Sequence, residues 1–596
     1  MTVVEKAQVT LSTPRLDARV SFPDGSVYSA PVGTPLLAYV EAAYPPGHPD
    51  RPILAAIVDG NLRELTMPVE RDVQVKPVTY ADSDGNRIYR RSLSFLLTTA
   101  AAELFPGVQI AIAHSIPSGG FHCEVLNRAN FTTDELSAIR RRMWEIVEED
   151  APIVRKKIPL QEAVALFQAR GDDDKVRLLA SRQKDYLTVY TLHDNVDYFF
   201  GYMTPSTGYL QLFDLLPTAE GFILAHPRPE SPNQLKPYHE SYQLEAVFRR
   251  TREWLQVMGI EDIGRLNQAI VEGRIRDEVL VAEALHSRHI GEIARMIADQ
   301  HAQGVRLVLI AGPSSAGKTT FSKRLAVQLM AYGIQPFTLA MDNYFVDREL
   351  TPRDESGAYD FEALNALNLE RFNNDLLALM QCVEVQLPVF DFKLGKSLEG
   401  DVCKLTNDHI IIVEGIHGLN PDLVSHIPRE RIFRIYVSAL TALNMDRHNR
   451  IPTTDIRLVR RIVRDATHRG YNAQDTLDRW ESVRRGEKRN IFPYQENADV
   501  MFNSSLVYEL AVLRPFAEPL LLQVDRESPR YVEVKRLLSF LSWVRPTSAE
   551  YVPGDSLLRE FVGNSILETY QPGARPSGTY SSRNGNGFLL NGINSK

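Results

Sequence analysis

Residues 305–320 read Val-Arg-Leu-Val-Leu-Ile-Ala-Gly-Pro-Ser-Ser-Ala-Gly-Lys-Thr-Thr, an apolar run that turns directly into a glycine-bounded loop. Gly312 and Gly317 bracket four residues, Pro313, Ser314, Ser315 and Ala316, and Lys318, Thr319 and Thr320 follow. This is the G-x-x-x-x-G-K-[ST] spacing of a phosphate-binding loop. The glycines let backbone N–H groups curl around phosphate oxygens, and the helix that follows points its positive dipole end at them. Lys318 is placed to reach the terminal phosphates, and the Thr319 hydroxyl to hold Mg²⁺. The alternative is a Gly/Ser-rich turn between a strand and a helix. With the strand present and every position matched, the loop predicts binding of a nucleoside triphosphate.

Strands alternate with helices from residue 305 onward, which predicts a parallel sheet covered on both faces. In such doubly wound sheets, ligand groups sit at the carboxyl ends of strands. Pro336–Met341 reads as a strand ending in Asp342, and His409–Val413 as one ending in Glu414. If both neighbour the strand feeding the loop, two carboxylates converge on the transferred phosphate. One can accept a hydroxyl proton while the other orients Mg²⁺. Between Arg457 and Arg489 stand ten Lys/Arg residues, and Arg457, Arg461 and Arg464 share one helical face. A solvated charged face explains such a run; so does a lid of Arg461, Arg464 and Arg469 closing over ATP.

The remainder divides by pattern. Residues 17–79 alternate apolar and polar positions around Pro23-Asp24-Gly25 and Asp59-Gly60-Asn61, a small β-rich unit with one helix near Leu36–Ala43. Residues 91–104 read as helix, 132–170 as helical and highly charged, and 185–215 as strand and turn. Residues 226–300 form a connector, proline-rich at first and helical after 241, with Leu244, Val247, Phe248, Leu255 and Met258 on one stripe. His286 and His289 read as helix-surface residues, having no partner at metal spacing. The basic runs at Arg140-Arg141-Arg142 and Arg155-Lys156-Lys157 are interleaved with acids and read as a charged helix rather than an RNA groove. Residues 571–596 are Gly/Ser/Asn-rich and are expected to be disordered.

At 596 residues, with 44% hydrophobic and 24% charged residues, the composition is that of a globular multidomain protein. A net charge of −8 argues against wholesale coating of nucleic acid. Three cysteines without a C-x-x-C pair suggest a reducing, cytoplasmic setting. No basic-then-apolar leader is visible, and no apolar run approaches the ~18 residues of a membrane span.

GPSSAGKTT, MDNYF, YDFEALNAL, LPVFDFKLGK, IIIVEGIHGL and RLVRRIVRDATHRG, in this order, resemble the uridine kinase/phosphoribulokinase family over residues 305–510. The resemblance implies a P-loop nucleoside kinase domain over 301–545, using ATP and Mg²⁺ and working as a homo-oligomer. It implies Asp342 as the base acting on the nucleoside 5′-hydroxyl, Asp360 as the ribose-contacting acid, and Phe390 as the aromatic against the base. Phe345 and Arg461 join them as acceptor-binding residues. Glu414 becomes the Walker-B-like acid, a metal residue with Thr319, and Arg464 and Arg469 contact ATP. Gly395 stands where the uridine–cytidine kinases have a histidine against the pyrimidine, so phosphorylation of a hydroxyl is better supported than uridine itself. A sugar phosphate or other small alcohol, as in the phosphoribulokinase branch, remains an alternative acceptor.

Residues 17–79 also resemble a TGS domain, implying a β-grasp-like fold. Residues 80–225 resemble the α+β second additional (editing) domain of threonyl-tRNA synthetases. The metal-competent positions of that domain fall here on Arg91, Phe95, Phe199 and Met203, which make neither a zinc site nor synthetase-type editing. The N-terminal half is then either a sensor of RNA or a small-molecule effector, or a packing scaffold. A nucleotide-gated RNA- or ribosome-binding regulator is the reading of another class. Residues 546–570 remain as a C-terminal extension without an assigned role.

Overall fold

Valine and alanine alternate with exposed residues along Asp17–Ser21 and Val73–Thr79, so each strand offers one apolar face. In the computed structural model, which describes residues 15–48, 52–353, 357, 359–391 and 393–572, these two strands pair in parallel. They lie in a five-stranded sheet ordered Val27–Pro31, Asp17–Ser21, Val73–Thr79, Ile53–Val58, Asn61–Arg63. Helix Leu36–Ala43 lays Leu36, Tyr39 and Val40 on the apolar face, giving a β-grasp arrangement.

Helix Ser83–Leu104 opens the second unit and is buried along most of its length. It packs with a four-stranded antiparallel sheet (Asp214–Thr218, Gly221–Ala225, Gly120–Val125, Ile110–Ser115) and a three-stranded one (Asn195–Asp197, Tyr186–Leu192, Val154–Pro159). The expectation of continuous helix over 132–170 fails here. Helix Thr133–Glu148, closed at its start by a capping box between Thr132 and Glu135, gives way to strand Val154–Pro159 before helix Leu160–Arg170. Pro152 and Pro159 bracket that strand, and proline restricts both its own φ and the preceding residue. Arg155-Lys156-Lys157 therefore stands on a sheet edge, not on a helix.

Three helices, Tyr242–Met258, Ile263–Val271 and Ile275–His301, lead to the C-terminal half. His286 and His289 on the last are buried against Phe502, a correction to their reading as surface residues. The imidazole Nε2 of His286 meets the Ser505 carbonyl at 3.1 Å.

The C-terminal half is built on five parallel strands ordered Gln335–Ala340, His409–Glu414, Leu307–Ala311, Ile432–Ser438, Val500–Asn503. The central strand Leu307–Ala311 is buried throughout. Its Val308 and Ile310 face a layer containing Phe321, Leu325 and Ile293, and its Leu307 and Leu309 face one containing Phe372 and Leu376. Helices thus cover both sheet faces, as in doubly wound folds.

The two halves meet through buried charge. The Lys175 ammonium, 1% exposed, lies 2.8 Å from an Asp197 oxygen and 3.6 Å from one of Asp446. His448 Nδ1 is 2.6 Å from the other Asp197 oxygen, and Arg447 grips Asp174 at 2.5 Å. Lys175 and His448 hold the Asp197 carboxyl far below its ordinary range despite burial. One apolar core runs across this junction, from Phe167 and Leu178 through Leu266 to Ile456, Leu513 and Phe561. Among the described residues no helix is long and apolar enough to cross a membrane.

Candidate active site

The central strand delivers its loop under tight constraint. A Cβ on Gly312 would lie 1.9 Å from the Val437 carbonyl oxygen of the neighbouring strand, and Gly317 adopts φ +82°. Both glycines are therefore demanded by the backbone path. Helix Lys318–Ala331 starts at the loop's end. Around its first turn lies a cavity of about 450 Å³ lined by Ser314–Thr319, Asp342, Phe345, Glu414, Arg461, Arg464 and Arg469. Gly312, Pro313 and Thr320 complete the loop outside that lining.

Thr319 Oγ1 donates to Glu414 Oε1 at 2.8 Å, while Glu414 Oε2 is buried without a hydrogen-bond partner. Lys318 Nζ donates to the Pro313 carbonyl at 3.2 Å. Burial lowers the Lys318 ammonium from its ordinary value and raises both Asp342 and Glu414, with Lys318 opposing the rise at each acid. Asp342 follows strand Gln335–Ala340, which adjoins the Glu414 strand and not the loop-feeding strand. The acid still reaches the cavity, and its carboxylate makes no hydrogen bond or ion pair among the described residues. This donor set suits a triphosphate with Mg²⁺. A hydroxyl and a buried carboxylate with an open oxygen are oxygen ligands, and phosphates and water complete such a magnesium shell. Among the described residues no cluster of three or more His, Cys, Asp or Glu forms a self-contained metal site.

The arginine-rich helix spans Thr453–His468 and divides its cations between two tasks. Arg457 and Arg460 are fully buried behind the loop. Arg457 Nε donates to the Ser314 carbonyl at 3.0 Å and pairs with Glu487, whose Oε1 accepts the Ser314 N–H at 2.9 Å. Arg460 donates to Glu509 at 2.6 Å and to the Ser504 carbonyl at 2.8 Å. Arg461 donates to Ser314 Oγ at 2.7 Å, and Arg464 and Arg469 face the cavity beside Asp465.

Two residues that the family resemblance places on the acceptor lie outside the lining. The Asp360 carboxylate is held by Arg489 at 2.5 Å. Phe390 is buried behind Phe345, ring centroids 5.6 Å apart. Phe345 and Phe361 supply the aromatic wall instead.

Other cavity residues were not picked out by sequence reasoning: Glu362, His417 and Glu560. Burial, with Glu487 and Asp360 nearby, pushes the Glu362 carboxyl up to about 7. Glu560 comes from the C-terminal extension and accepts from Thr320 N–H at 3.3 Å and Thr320 Oγ1 at 3.0 Å. It stands at the first turn of the loop helix, where an anion is favoured.

Strand order, loop and converging acids define a P-loop kinase domain. Residues 307–510 match the model of the Phosphoribulokinase / Uridine kinase family, and this stretch of the chain is a domain of that family. Among solved structures the chain is similar to a candidate fructose transport system kinase from Silicibacter sp. TM1040. That match has 21% identity and a TM-score of 0.26, covering 36% of this chain and 98% of that one. It is also similar to a possible uridine kinase from Bacillus stearothermophilus, with 20% identity and a TM-score of 0.21, covering 33% and 89%. The N-terminal half is similar to threonine–tRNA ligases. The match to that of Anaeromyxobacter dehalogenans is 30% identical over 207 residues, 34% of this chain and 32% of the ligase. The chain thus spans about a third of the length of the curated relatives it matches.

Proposed function

We propose that this chain transfers the terminal phosphoryl group of ATP to a hydroxyl of a small acceptor, the 5′-hydroxyl of a nucleoside being the first choice. Magnesium-bound ATP supplies the phosphoryl group. The loop N–H groups and Lys318 hold its phosphates, and Thr319 with Glu414 would take the metal. Asp342 accepts the proton leaving the acceptor hydroxyl, while Arg461, Arg464 and Arg469 face the charge that develops on the phosphoryl oxygens. One observation carries the reading: the Asp342 carboxylate, without a hydrogen bond or ion pair among the described residues, shares a single cavity with Lys318 and the loop. Phe345 and Phe361, their rings nearly perpendicular with centroids 6.2 Å apart, offer apolar ring faces against which a nucleobase can pack.

A sugar phosphate or another small alcohol is a second acceptor class, favoured by Gly395. It sits at φ +67°, and a Cβ there would meet the Arg348 side chain at 2.9 Å, so the backbone path leaves no room for a base-reading side chain. ADP release with a panel of nucleosides and sugar phosphates separates the two. Asp342→Asn is expected to lower turnover at least about 100-fold with ATP affinity retained. If no acceptor stimulates ADP release and the substitution changes nothing, the kinase reading fails and a nucleotide-gated RNA- or ribosome-binding regulator replaces it.

A further inference from the structure

A cavity of about 490 Å³ lies among helix Ser83–Leu104, the edge formed by Val154–Pro159 and Tyr186–Leu192, and helix Tyr531–Leu541. Its size suits a small-molecule ligand. Its walls carry an excess of positive charge. Arg87, Arg155 and Arg536 are neutralised by Asp84 or Glu533, by Glu64, and by Glu533 with Asp455. Arg63, Arg91, Arg182, Lys184 and Lys535 also line the cavity, and none has a carboxylate within 4.0 Å among the described residues.

Four of these five meet only neutral acceptors. Arg91 donates to the Tyr202 carbonyl at 2.5 Å, Arg182 to the Tyr186 carbonyl at 2.8 Å, and Arg63 to the Leu62 carbonyl at 3.3 Å. Lys535 donates to Asn61 Oδ1 at 2.7 Å. A solvated basic surface would show the same count of cations, but Arg91 is partly withdrawn from solvent, and burial brings its guanidinium down to about 10. The fold also reserves its space. A Cβ on Gly201 would lie 2.6–2.8 Å from the Arg91 guanidinium atoms, and Gly201 adopts φ +114°. Glu64 and Asp84 act on Arg91 only from beyond ion-pair distance, and a half-buried cation so incompletely compensated favours the arrival of an anion.

Single carboxylates match this charge poorly, whereas oxygens spread over several phosphates can engage many guanidinium and ammonium donors at once. We propose that this cavity binds a small molecule carrying two or more phosphate groups. Two sources share that chemistry: an inorganic polyphosphate, and a nucleoside polyphosphate whose base uses the aromatic walls at Tyr202 and Trp543. One ion pair joins the site to the arginine-rich helix, whose Arg457 in turn holds the phosphate loop. Arg536 lines the cavity and pairs with Asp455, at 2.6 and 2.9 Å, in the first turn of the arginine-rich helix.

The test is calorimetric titration of the full chain with inorganic tripolyphosphate and, separately, with a non-hydrolysable ATP analogue. A Lys318→Ala background removes the cation of the phosphate loop. In that background both probes are expected to bind, and Arg63→Gln, Arg182→Gln and Lys535→Gln combined should weaken each by about tenfold or more. Arg63 and Arg182 are partly exposed and Lys535 is exposed, and an unchanged melting temperature confirms the fold. Arg91→Met, checked in the same way, is expected to abolish binding. Tighter binding of the analogue identifies a nucleoside polyphosphate, and equal binding an inorganic one; both uphold the site. The proposal is overturned if Lys318→Ala removes all binding, or if the triple substitution leaves affinity unchanged. It is also overturned if only single-stranded RNA, and neither small molecule, binds in a way the triple substitution weakens.

Discussion

Glu560 puts a carboxylate on the donors of Thr320 that open the loop helix, so an incoming phosphate meets negative charge at the helix's positive end. Glu560→Ala is expected to tighten ATP binding by about tenfold, measured by titration without acceptor; unchanged affinity would place the phosphates clear of this acid. Glu362 makes a different prediction. Its carboxyl titrates near 4.5 when unfolded and near 7 in the cavity. Between those values the folded chain keeps a proton that the unfolded chain has released. Its contribution to stability therefore falls as pH rises from 4.5 to about 7 and is flat above. Glu362→Gln should outlast the parent in urea by a margin that widens across that window and then holds; a margin constant at every pH would show that folding leaves the Glu362 carboxyl unshifted. Neither acid announced itself in the chain. Asp342 and Glu414 did, because each stands at the carboxyl end of an apolar run that reads as a strand. Glu560 lies 240 positions from Thr320, and nothing local marks it.

The strand-loop-helix element was readable because its motif specifies backbone shape. Gly312→Ala would force a methyl group 1.9 Å from the Val437 oxygen. A loss of about 3 kcal/mol or more in urea unfolding is expected, with loss of ATP binding; a stable, binding-competent variant would mean that the two strands can part. The arginine-rich helix was only half readable. Spacing grouped Arg457 with Arg461 and Arg464, but the structure sets Arg457 and Arg460 behind the loop as buried supports. Which basic side chains are solvated depends on Glu487 and Glu509 arriving from distant helices, and periodicity carries no record of that. Strand Val154–Pro159 was missed for a related reason: its charged residues read as helix surface, whereas its edge pairing with Tyr186–Leu192 is non-local.

Across the whole chain, the order of units was visible in composition and motif, while their joining was not. Lys175, Asp197 and Asp446 are polar letters that sequence reading assigns to surfaces, yet they form the buried junction of the two halves. Lys175→Met removes the shared cation from two buried acids. It should cost about 3–5 kcal/mol, with both halves unfolding in one transition at a lower denaturant midpoint. Two separated transitions, with only the N-terminal one shifted, would contradict this coupling.

That junction also limits how the chain can be divided. Cut between the connector helices and the kinase sheet, each fragment would carry away an unanswered part of the Lys175–Asp197–Asp446 set and an exposed slab of shared apolar core. Neither fragment could serve as a portable module. A gene encoding either alone would need its missing counterpart supplied in the same cell before its product stayed dissolved.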